Sequence, residues 1–93
     1  MATHELKTVR PHFDAVASGA KHVEIRKNDR GFEVGDLLVL CEYDASKGAL
    51  SGRYIEVRVT HVLREFAGLA RGYVALSFEP AQLGLLDSLM RMF

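Results

Sequence analysis

The sequence predicts an α+β fold, mainly β: a small curled sheet or barrel of mixed, mostly antiparallel strands, with an early helix and a C-terminal helix. Three observations lead there. Five segments read as strands, either alternating with period two or forming short apolar runs. Helical spacing occurs at two places only, after Pro11 and after Pro80. The later connections are short and rich in Gly, Asp and Asn, as hairpins require.

In chain order, THELKTV (3–9) is a first strand. Pro11 suits the first turn of a helix, where its missing N–H costs nothing. Phe13, Val16 and Ala17 then form one apolar stripe, and Gly19 ends the helix. From Lys21 the period becomes two, which predicts Val23 and Ile25 toward the core and His22, Glu24 and Arg26 on the other face. NDRGFEVGD (28–36) is a turn-rich loop, pinned to the core by Phe32 and Val34, with Asn28, Asp29 and Asp36 structural.

LLVLCEY (37–43) is a continuous apolar run, expected of a strand covered on both faces. DASKGALSG (44–52) reads as a hairpin loop. In RYIEVRVTHVLREF (53–66), Ile55, Val57, Val59, His61 and Leu63 share one face, and a strand of this length should bend or change partners. That alternation makes His61 a core or rim histidine. AGLARG (67–72) is a loop and YVALSFE (73–79) the last strand. The domain is expected over 1–79. Residues 80–93 form a helical tail apolar on more than one side, which either packs on the barrel or meets a partner copy in a homodimer.

At 93 residues, 48% hydrophobic and 26% charged, the chain builds one core. No apolar run reaches membrane-spanning length, and the first residues lack the apolar region of a signal peptide. A single cysteine, Cys41, fits a reducing compartment, so a cytoplasmic location is expected. Twelve basic and twelve acidic residues argue against a duplex binder held mainly by phosphates. Residues 1–30 nonetheless carry six Lys/Arg against four Asp/Glu, enough for a local anion patch. His12, His22 and His61 have no metal-ligand spacing, so no zinc site and no cofactor are expected.

Several motifs, in this order, carry a resemblance: HELKTV, F-x-x-V-x-S-G, GAKHVEIRKNDR, F-x-V-G-D-x-L-x-L-x-E-Y-D and G-Y-V-x-L-S. Over about residues 4–79 the chain resembles an uncharacterised bacterial and phage branch of ASCH-like domains in the PUA-like superfamily. The resemblance implies a PUA-like β-barrel with a helix beside a cleft, and a superfamily associated mainly with RNA. Its cleft-lining segment, G-x-K-x-x-(T/E)-x-R, falls on Gly19, Lys21, Glu24 and Arg26.

The expected ligand is therefore RNA or a nucleotide, bound by Lys21, Glu24 and Arg26, with His4, Lys7, Lys27, Arg30 and Glu42 as further lining residues. Arg26 offers a planar fork for phosphate or a base edge, and Lys21 a mobile cation. Tyr43, Phe32 and Tyr73 could stack on bases, but for each of them core packing is the stronger expectation. Some ASCH members hydrolyse the amide of acetylated cytidine, which makes an amidohydrolase with Lys21 and Glu24 as catalytic groups the alternative. Those relatives typically carry threonine at the position of Glu24, and a glutamate from a helical insertion that AGLARG does not supply. A third reading is an interaction scaffold that dimerises through its tail.

Overall fold

In the computed structural model, which describes residues 1–81, the elements run β1 (Thr3–Val9), α1 (Arg10–Ala17), β2 (Val23–Lys27), β3 (Leu37–Asp44), β4 (Ala49–Arg64) and β5 (Tyr73–Pro80). They form one sheet in the order β1-β3-β4-β5-β2, curled into a half-barrel. β1 pairs with β3 in parallel, and the other three ladders are antiparallel. The mixed sheet and early helix match the expected fold class. Of the tail expected over 80–93, Pro80 is the last residue of β5 and Ala81 follows it; the helix and dimer contact expected of the remainder lie outside the described residues. Among the described residues no helix is long and apolar enough to cross a membrane.

Inward-facing residues of the strands make the core, with Leu38, Leu40 and Leu76 fully buried and Val57 and Val59 beside them. α1 lays Phe13 and Val16 over this face. Its end is a Schellman arrangement: the Gly19 N–H donates to the Val16 carbonyl at 3.0 Å, and Ala20 N–H to that of Ala15 at 2.9 Å. Gly19 has φ +83°, a conformation that side-chain-bearing residues rarely adopt. This stop turns the chain toward β2, with Lys21 two residues before the strand begins.

Three expectations about faces need correction. β2 is turned the other way: Glu24 is buried and Arg26 half-buried, while Val23 and Ile25 are 38% and 60% exposed. In β4 a bulge between Val59 and His61 shifts the alternation, so His61 and Leu63 face out and Val62 packs against the core. β3 is fully buried on one face only, and that face includes Glu42 and Asp44. The connection before β4 is also shorter than expected, because the strand begins at Ala49.

Phe32 and Asp36 anchor the 28–36 loop. Asp36, 2% exposed, accepts from Ala2 N at 2.9 Å, Glu33 N at 3.0 Å and His4 Nε2 at 2.8 Å. Burial alone pushes its carboxyl up, but these donors outweigh burial and leave it below its ordinary 3.8. A depressed carboxyl contributes stability above its unfolded value, which is lost as pH falls through the native one. Asp36→Asn should therefore destabilise the chain by about 1–3 kcal/mol at pH 7. In urea melts the gap from wild type should narrow as pH falls below 3.8; a gap constant across that range would rule out the carboxylate charge as its source.

Candidate functional site

The two edge strands, β1 and β2, face one another across the open side of the half-barrel. No backbone ladder joins them; arginines do. Arg26 Nη2 donates to the Lys7 carbonyl at 2.6 Å, and Arg30 Nη1 to the Glu5 carbonyl at 2.6 Å. These guanidinium groups occupy carbonyls of β1 that a neighbouring strand would otherwise take. Between the strands lies a cleft of about 380 Å³ lined by Lys7, Thr8, Val9, His12, Lys21, Val23, Glu24, Ile25 and Arg26.

Glu24 is the centre of this cleft's charge. Its side chain is 5% exposed; Oε1 lies 3.2 Å from Lys21 Nζ and Oε2 lies 3.0 Å from Arg26 Nε. Lys21 and Arg26 keep 24% and 28% of their side-chain surface exposed. Two cations around one carboxylate leave the cluster with a net positive charge, and both cations have donors remaining for a ligand. Glu24 thus holds the pair in place at the cleft wall. The i, i+2 spacing makes this possible, since both side chains leave the same face of a strand.

The other expected residues separate. Lys7 lines the cleft, with its ammonium 5.2 Å from the Tyr43 ring centroid. Arg30 lines an adjoining cavity of about 390 Å³ that shares Lys7 and Arg26 with the cleft. Lys27 is exposed, on the outer face of β2. His4 does not join the site: its Nε2 donates to Asp36 Oδ2, and its ring packs edge-on against Phe32, with ring centroids 4.8 Å apart. Phe32 is 1% exposed and belongs to the core, not to a stacking surface.

Glu42 also stands apart. It accepts from Ser51 Oγ at 2.6 Å and lies 3.4 Å from Arg53 Nη1 and 3.6 Å from Arg10 Nε. Arg10 Nη2 also reaches Asp44 at 3.1 Å. The Ser46 hydroxyl bond holds the Asp44 carboxyl below its usual range against the opposing effect of burial, with Arg10 adding to it. This network ties the start of α1 to β3 and the β3–β4 hairpin, and Arg53 covers the Phe13 ring at 5.0 Å. Its signal in the sequence was the alternation of Leu38, Leu40, Glu42 and Asp44, masked by the intervening Val39 and Cys41. Thr8, buried beside the cleft, carried no signal of its own. Among the described residues no three metal-ligating side chains cluster.

Compared with known proteins, the chain is 44% identical over 59 residues to an uncharacterised 12.9 kDa protein in the GpA 3′ region of Escherichia phage P2. That match covers 63% of this chain and 52% of the phage protein, so the chain spans about half the length of the curated relative it matches. A family model described as a domain of unknown function, DUF3850, matches residues 3–78, from the first residue of β1 to within two residues of the end of β5. With all but the last two residues of the half-barrel inside that match, the chain belongs to the DUF3850 family.

Proposed function

We propose that the chain binds RNA or a nucleotide in the cleft between β1 and β2, with Lys21 and Arg26 as phosphate contacts and Glu24 as their anchor. The observation that carries this reading is the orientation of β2. Burying Ile25 and Val23 would stabilise the sheet by about 1.5–3 kcal/mol each. The strand instead exposes both and turns Glu24 and Arg26 inward, beside an open cleft. The likeness of the G-x-K-x-x-E-x-R segment to the cleft-lining segment of ASCH-like domains supports the same ligand class.

A Lys–Glu pair in a cleft also suits the amidohydrolase alternative, with Lys21 and Glu24 acting on an acylated nucleoside. Two observations favour binding over it. Both Glu24 oxygens are paired with cations, which suits an anchor for Lys21 and Arg26 better than a general base. The connection from β4 to β5 is a short loop that lines a different cavity.

Fluorescence anisotropy with a short labelled single-stranded RNA, and competition by mononucleotides, tests the proposal. Binding should weaken with salt, and Lys21→Ala and Arg26→Ala should each lower affinity about tenfold, as expected for one charge-assisted contact. Affinity equal to wild type in both variants, or no binding of either ligand, would overturn it. Turnover of acylated cytidine that Lys21→Ala abolishes would instead establish the hydrolase.

A further inference from the structure

A second cavity, outside the cleft, lies at the far end of β2. It measures about 480 Å³ and is lined by Asn28, Arg64, Glu65, Phe66, Arg71 and Tyr73, among others. Its two rings are not core residues: Phe66 is 50% exposed and Tyr73 39%. An exposed ring beside a cavity presents a flat face to which any base can stack. Glu65, with φ +49°, turns the chain where Phe66 leaves β4, a conformation uncommon for a residue with a side chain.

The charge around the rings is complementary to a phosphodiester chain. Arg64 and Arg71 line the cavity against one carboxylate, Glu65. Lys27 stands opposite Tyr73 in the β2–β5 ladder. Arg64 is fixed by donating from Nη2 to the Phe32 carbonyl at 2.7 Å. The cavity and the cleft share no lining residue, but Asn28 of the one follows Arg26 of the other by two residues. Asn28 N donates to the Gly72 carbonyl at 2.8 Å, tying the end of β2 to the cavity wall. From Glu24 to Lys27 the strand advances about 10 Å, a span of a few nucleotides.

We infer that this cavity stacks a base of single-stranded RNA between Phe66 and Tyr73, with Arg71 and Lys27 on its backbone, while the same strand continues into the β1–β2 cleft. The inference rests on the cleft reading and sharpens it: the ligand is an oligonucleotide, not a mononucleotide. Occupancy by a protein partner is the competing outcome.

The test uses the full chain, a labelled single-stranded RNA decamer and, separately, adenosine monophosphate. Phe66→Ala should lower decamer affinity about tenfold, Phe66→Tyr should restore it, and neither should change mononucleotide binding. Arg71→Ala, an exposed change that leaves the core intact, should reduce the salt slope for the decamer by about one. Decamer affinity unchanged in Phe66→Ala and Arg71→Ala, but weakened by Lys21→Ala, would overturn this inference and leave the cleft reading standing. Absence of binding by both decamer and mononucleotide would remove both.

Discussion

Phe32→Ala is expected to lower the free energy of unfolding by about 3–5 kcal/mol, the usual cost of emptying a buried aromatic site. Phe32 belongs to a loop, yet it is 1% exposed and packed in the core cluster. Its backbone is held on both sides: its N–H donates to Asn28 Oδ1 at 3.1 Å, and its carbonyl accepts from Arg64 at 2.7 Å. The ring also supports His4, which in turn meets Asp36. Truncation would leave a void that these fixed neighbours cannot close. Domains of this size have about 5–15 kcal/mol in total, so the loss is a large fraction of the whole. Urea denaturation measures the loss. Val34→Ala, at a position 62% exposed, should stay within about 0.5 kcal/mol and serves as the control. Equal effects of the two changes would show that Phe32 does not anchor the loop.

Glu24→Ala should cost about 2–4 kcal/mol. Removing one partner of a buried ion pair typically costs more than the pair itself contributes, because the remaining charge loses its compensation. Here solvent reaches a quarter of Lys21 and of Arg26, which reduces the penalty below that of a fully enclosed pair. Glu24→Gln keeps the hydrogen-bond acceptor and should recover part of the loss. A double-mutant cycle with Arg26→Ala should give a coupling energy of about 1–3 kcal/mol, as for residues in one network. Without the carboxylate the cleft is more positive, so under the binding proposal Glu24→Gln should raise RNA affinity at low salt, with a steeper salt dependence. A stability change under about 0.5 kcal/mol in Glu24→Ala would remove Glu24 from its anchoring role.

The two predictions mark where local pattern stops being informative. The segments, their order and the end of α1 at Gly19 follow from features that act within a few residues: period-two alternation, a proline early in a helix and a glycine at its stop. Phe32 was expected to pin its loop, and does, because a large apolar ring in a turn-rich segment has few other places to go. Alternation says that Val23 and Ile25 oppose Glu24 and Arg26; it carries no information on which pair faces inward. The Val59/His61 bulge likewise adds one residue to a run that reads as unbroken, and every side chain beyond it changes face.

The mainly β fold, its strands and helix, and the grouping of Lys21, Glu24 and Arg26 within one short segment are legible along the chain. That β2 lies at the sheet edge with its charged face turned inward, that Arg26 and Arg30 bridge to the β1 carbonyls, and that His4 and Glu42 belong to separate networks emerges only when the sheet is assembled. The difference is one of range. Local propensities act along a few residues of chain, whereas facing, edge position and the partners of a charge are set by residues such as Lys7, Asp36 and Ser51, brought together only when the sheet curls.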